Sequence, residues 1–180
     1  MRILALPLLA ALAACTPNDP AAPPAAAQGS EAAPAAAAPD PGRNGRQGAW
    51  QRAESERKKL PIAWEYRSDL DPARRAAFKQ LLIVSLLTGG SRVGQSPARL
   101  EAYDAVEREL AAALAGKGEL VAVLDYNLQY DWYFYTNDAD VAAIETIAGK
   151  SAEKDISVKV ENDADGEFYT TLKERLSATE

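Results

Sequence analysis

The sequence predicts an α+β domain, with helices packed on an antiparallel sheet, carried behind a long N-terminal extension. Three observations predict it. Between residues 16 and 48 no apolar side chain other than Pro is larger than Ala, whereas aromatic and branched residues appear from Trp50 onward. Beyond residue 80, segments alternating with a period of two are interleaved with segments repeating near 3.6. About 130 residues follow the boundary, enough to bury one core without staples.

Residues 1–14 read as an export signal: Met1-Arg2 is a minimal positive start, and residues 3–12 are apolar. About ten such residues fit a signal-peptide core and span only half a bilayer. Leu12-Ala13-Ala14-Cys15 then resembles the lipobox of bacterial lipoproteins, in which small residues precede a cysteine that is lipidated and becomes the first mature residue. An ordinary secretory signal cut at an Ala-x-Ala site is the alternative. The resemblance implies a membrane anchor through lipid on Cys15. Thr16 stands where an Asp would be an inner-membrane retention signal, so the implied address is the outer membrane, facing the periplasm. Stable anchoring of this kind takes two or more acyl chains, at about 0.8 kcal/mol per buried methylene.

Residues 15–48 hold the lipidated Cys and an Ala/Pro-rich tether with seven of the eleven prolines, between Pro17 and Pro41. Such a segment cannot make a core, and extended at about 3.1 Å per residue it would reach roughly 100 Å from a bilayer. A featureless spacer explains it; docking into peptidoglycan is the sharper alternative.

The α+β domain is assigned to residues 49–180. Residues 51–59 are charged enough to read as a short leading helix, and Ile62, Trp64 and Tyr66 alternate with Ala63, Glu65 and Arg67 as an edge-like strand. Asp71-Pro72 has the form of a helix N-cap with Pro at the first helical position. The run from Leu81 to Val84 fits either the end of that helix or a buried strand. Residues 89–95 are glycine-rich but lack the Lys-Ser/Thr ending of a phosphate loop, and read as a flexible turn. Ser96-Pro97 opens a helix with Leu100, Tyr103, Val106, Leu110 and Leu114 on one face, stopped at Gly116 and Gly118. Residues 119–126 form a strand with Leu120, Ala122 and Leu124 opposite Val121 and Val123. A turn near Asn127 leads into its antiparallel partner, residues 130–136. Asn137 or Asp138 caps a helix that turns Val141, Ile144, Ile147 and Ala148 inward. Ile156, Val158 and Val160 mark a strand, and Phe168, Leu172 and Leu176 a final helix. From Leu81 the order is that of a ferredoxin-like, split β-α-β two-layer sandwich, with an added N-terminal strand and helix and a C-terminal helix.

Composition narrows the chemistry. The chain has no His, one Cys and one Met, which excludes imidazole bases, Ser-His-Asp and Cys-His nucleophiles, Cys/His zinc sites and intramolecular disulfides. Its net charge of −6 falls wholly on residues 49–180, because Arg2, Arg43 and Arg46 balance Asp19, Glu31 and Asp40. An acidic domain offers no general attraction to nucleic acid. No catalytic residue, metal or cofactor is assigned, and the expected partners are the membrane, through Cys15, and an envelope protein.

Three groups of residues remain as candidate sites. Alternation puts Trp132 and Phe134 on one face of their strand and Tyr133 and Tyr135 on the other. In a two-layer fold the tyrosine face is open and would grip a protein or glycan, unless Trp50, Trp64 or the first strands cover it. Glu161-x-Asp163-x-Asp165-Gly166 mimics the start of a calcium loop, but Leu172 occupies the twelfth position, which needs a bidentate Glu; Asp163 and Asp165 remain a weak calcium candidate. Asp125, Asp131, Asp138 and Asp140 crowd a hairpin and a helix start. Two carboxyls roughly 5 to 9 Å apart cleave glycosidic bonds, so an envelope enzyme acting on cell-wall material is the alternative to a binding module.

Leu100, Asp104 and Glu107 on one helix, the strand Trp132-Tyr133-Phe134-Tyr135 and the segment running from Asp163 through Gly166-Glu167-Phe168-Tyr169 resemble family 695 of the domains of unknown function, over residues 80–177. Gly166 stands where members of that family carry Trp. The resemblance implies a fold similar to that of the regulator of ribonuclease E activity B; it implies no activity, since an exported domain does not meet a cytoplasmic ribonuclease.

Overall fold

In the computed structural model, residues 46–57, 59–87, 97–151 and 155–177 are described, and the signal, Cys15, most of the tether and the 89–95 turn lie outside them. The domain is mixed α/β: a six-stranded antiparallel sheet and four helices. The elements are β1 (Trp50–Arg57), β2 (Leu60–Arg67), α1 (Pro72–Ala76), β3 (Gln80–Leu87), α2 (Pro97–Ala113), β4 (Gly118–Tyr126), β5 (Gln129–Thr136), α3 (Val141–Ala148), a 3-10 turn (Gly149–Ser151), β6 (Asp155–Asn162) and α4 (Glu167–Ser177). The sheet order is β1-β2-β4-β5-β3-β6.

The segment expected as a leading helix is a strand. β1 pairs along its whole length with β2, from Trp50 opposite Arg67 to Arg57 opposite Leu60. Its charges find partners across the ladder, Arg52 donating to Glu65 at 2.6 Å as well as to Glu54 at 2.7 Å, and cross-strand pairing of this kind overrides helix propensity. β2 is therefore interior, between β1 and β4, and β1 and β6 are the edges. Lys59 has the positive φ, 62°, that a tight hairpin turn requires.

Asp71 caps α1 as its sequence promised, accepting from the Ala73 amide at 2.8 Å. The helix stops after five residues, because the apolar run that follows is β3, buried between β5 and β6. The first face of the sheet carries Leu82, Val84, Leu86, Tyr130, Trp132 and Phe134, and is covered by Tyr103, Val106, Leu110 and Leu114 of α2 and its end and by Ile144 and Ala148 of α3. α3 is capped by Asp140, which accepts from the Ala143 amide at 3.1 Å, and not by Asn137 or Asp138. Its Val141, expected inside, is 36% exposed. Asn137 instead bridges the turn before β3, accepting from the Lys79 amide and donating to the Ala77 carbonyl.

The simple alternation expected for β4 breaks at a bulge between Leu120 and Ala122. Leu120 and Val123 pack on the first face, whereas Val121, Ala122 and Leu124 turn to the second, as one extra residue in a strand dictates. On that second face Tyr66, Leu70, Leu81, Tyr133 and Tyr135 pack beneath Tyr169 and Leu172 of α4. The expected two layers are thus three over part of the sheet.

Candidate functional site

Tyr133 and Tyr135 are 9% and 0% exposed, so the open aromatic face is not present. Phe168 stacks on Tyr133 at 4.6 Å between ring centroids, and the tilted Trp64 ring lies 5.6 Å away. Both hydroxyls donate to carboxylates, Tyr133 to Asp131 at 3.0 Å and Tyr135 to Asp163 at 2.6 Å. Burial raises both phenols, and the neighbouring carboxylates raise them further.

Asp163 serves the fold. One of its oxygens takes the Tyr135 hydroxyl and the other the Glu167 amide, at 2.8 Å, at the start of α4. Arg75 donates to the carbonyls of Asp163 and Ala164, while Asp165 is exposed. Among the described residues no three His, Cys, Asp or Glu side chains group as a metal site.

The four aspartates considered for acid/base chemistry do not converge. Asp125 stands opposite Tyr130, on the first face, whereas Asp131 hydrogen-bonds Tyr133 on the second. Asp138 and Asp140 lie beyond the far end of β5, roughly 20 Å away at the rise of a strand. Asp131 is 1% exposed: its Oδ2 accepts from Gln129 and Tyr133, and its Oδ1, beside Ser85, has no hydrogen bond of good geometry. Burial therefore holds this carboxyl above the ordinary carboxylate range, against the opposing pull of the nearby Ser85 hydroxyl and of the Tyr133 and Gln129 hydrogen bonds.

Ion pairs concentrate elsewhere, around a cleft of about 440 Å³ where the chain before β1 crosses α2 and the start of β4. Arg46, Arg67, Arg74, Arg108, Glu107 and Glu119 line it. Arg46 forks onto both oxygens of Glu107 at 2.6 Å, reaches Glu65 at 2.5 Å, and lies 4.6 Å over the Trp50 ring. Trp132 donates its indole N–H to the same Glu107 at 2.9 Å, which ties the cleft to the core. The Arg46 and Glu107 side chains are 4% and 3% exposed. Burial pulls the Arg46 guanidinium down, but Glu107 and then Glu65 outweigh it and leave the group above its ordinary value. Arg67 ion-pairs with Glu119 and with Asp69, and its hydrogen bond lowers the Asp69 carboxyl.

Two guanidinium groups at the cleft are exposed. Arg108 is exposed and has no ion-pair partner among the described residues. Arg74 pairs through its Nε, 2.8 Å from Glu119 Oε2, and is 60% exposed. That Glu119 oxygen is buried and receives no aligned hydrogen bond. Composition had placed Arg46 in the tether. The available signal was Glu107, which interrupts the apolar stripe of α2 between Tyr103 and Leu110 and demands a buried partner. No family model, no curated protein and no solved structure matches the chain.

Proposed function

We propose that this chain is an exported lipoprotein, anchored through Cys15 to the outer membrane and facing the periplasm, whose domain binds an envelope protein at the arginine-lined cleft. The observation that carries the reading is the pair of exposed guanidiniums, on Arg74 and Arg108, lining a cleft in an otherwise acidic domain. Planar, always-charged forks with N–H edges turned to solvent are recognition groups. A volume of about 440 Å³ suits a small ligand or the end of a chain. Separation of the four aspartates weakens the alternative, an envelope enzyme acting on cell-wall material through carboxylates. The order β4-β5-β3-β6, with α2 and α3 on one face, supports a ferredoxin-like split β-α-β unit to which β1, β2, α1 and α4 are additions. Residues quoted for family 695 lie within that unit and α4.

Two measurements in the native host test the reading. Labelling with an alkyne fatty acid should mark the wild type and not Cys15→Ala, and the label should fractionate with outer membrane. A photoreactive side chain at Ala111, which lines the cleft without supplying a charge, should give one discrete protein adduct. Unlabelled wild type overturns the anchor, and no adduct from an exported, folded protein overturns the binding site.

A further inference from the structure

We propose that β6 pairs antiparallel with β6 of a second copy of this chain, centred on Ser157, so that two sheets join into one across a two-fold axis. This interface is independent of the cleft, since β6 is the edge of the sheet farthest from β1. The two edges are guarded differently. β1 carries four charges in eight residues, Arg52, Glu54, Glu56 and Arg57, which deter a further strand. β6 runs against β3 for eight residues without a bulge, contains neither Pro nor Gly, and holds one charge between residues 156 and 160, Lys159. Among the described residues no strand lies on its outer side, where every second residue turns an N–H and a C=O outward. Six of its eight residues are exposed, Val160 by 38%.

A second copy is the occupant because the side chains of β6 complement themselves in one register. Residues directly opposite in an antiparallel pair share a face, so the two-fold centre falls on a residue. Ladders of at least five residues have their centre at Ser157, Val158, Lys159 or Val160. Centring on Val158 sets Asp155 against Glu161, and centring on Lys159 sets that lysine against itself, so both longer ladders oppose like charges. Centring on Val160 pairs Lys159 with Glu161 but leaves Val158 opposite Asn162. Centring on Ser157 sets Asp155 opposite Lys159 twice and Ile156 opposite Val158 twice, continuing the apolar row that already packs on the first core. Lys159 meets Glu161 at 3.2 Å along its own strand, but both side chains are exposed and such a pair holds the lysine weakly. A five-residue ladder is a small interface, and a dissociation constant of about 10 to 100 µM is expected.

Two measurements on the purified full chain test the pairing, with Cys15→Ala throughout so that an introduced thiol is the only one. Ser157→Cys, Val158→Cys, Lys159→Cys and Val160→Cys, oxidised with copper phenanthroline, each report one centre, because only the residue on the axis meets its own copy within disulfide reach. Ser157→Cys is expected to give linked dimer, about tenfold more than the other three. Sedimentation of the chain without an added thiol should show a reversible dimer. Lys159→Glu and Asp155→Lys should each weaken it about tenfold, and the double reversal should restore it. Asp155→Lys separates pairing from overall repulsion, since it makes an acidic chain less acidic and yet is expected to hinder association. Linked dimer chiefly at another centre, or charge reversals without effect, overturns the register. Equal linkage at all four positions, or a chain that sediments as a monomer up to about 500 µM, overturns the pairing itself. Neither readout involves the cleft, so the loss of one proposal leaves the other standing.

Discussion

The two faces of β5 bury aromatic side chains in different company. Tyr130, Trp132 and Phe134 meet apolar residues of α2 and α3, and the buried charge that touches Trp132, Glu107, arrives already matched by Arg46. Asp131, Tyr133 and Tyr135 lie under Trp64 and α4, where phenol hydroxyls answer carboxylates and, among the described residues, no cation pairs with Asp131. Two carboxylates are thus almost equally buried, at 3% and 1% exposure, yet only one is neutralised. Burial alone does not decide what a charge does to a fold; the number and sign of its partners does.

The largest test breaks the matched side. Arg46→Ala strands Glu107 without its counter-charge in a buried site and is expected to cost about 3 to 5 kcal/mol in denaturant unfolding, with Arg46→Lys between it and wild type because the fork is lost but the charge is kept. A loss below about 1 kcal/mol would mean that water reaches Glu107.

Next comes the cover of the second face. Gly166 sits at φ +68° with the Arg75 guanidinium where a Cβ would stand. Gly166→Ala should cost about 2 to 3 kcal/mol, by backbone strain and displacement of Arg75 from the Asp163 and Ala164 carbonyls, and should speed amide exchange in α4 before the rest of the domain. Tyr135→Phe removes the hydroxyl shared by Asp163 and the Tyr169 amide, for about 1 to 2 kcal/mol.

Asp131→Asn sharpens the contrast with the smallest effect and the opposite sign. Because the folded chain holds this carboxyl above its ordinary range, stability is fully present below the unfolded pKa and falls as pH rises through the raised one. The amide oxygen keeps the Gln129 and Tyr133 bonds and its NH₂ can face Ser85. The variant should therefore match wild type in acid and exceed it by about 1 kcal/mol at neutral pH, read as melting temperature against pH.

Much of this was legible from periodicity. α2 announced its stripe, β5 its two faces and Asp71 its cap, because each is written in near neighbours. What stayed hidden depends on partners far along the chain. Residues 51–59 look helical until Glu65 is set opposite Arg52. One bulged residue in β4 parts Val121 from Val123 onto opposite faces without altering composition. The tyrosine face looked open because nothing in β5 says that α4 folds back over it. Arg46 resembled the tether around it, and only the buried Glu107, sixty-one positions on, reveals its place.

Arg46 also sets the path that a mechanical pull would take. β1 is an edge strand held by β2 alone, and tension from its N-terminal end would peel it off one hydrogen-bonded pair at a time. Three charge-assisted bonds from Arg46, to Glu107 on α2 and to Glu65 on β2, lie ahead of that first pair. Tension arriving along the N-terminal segment is therefore passed to the helix and the second strand together, so the peel begins only after this clamp has slipped.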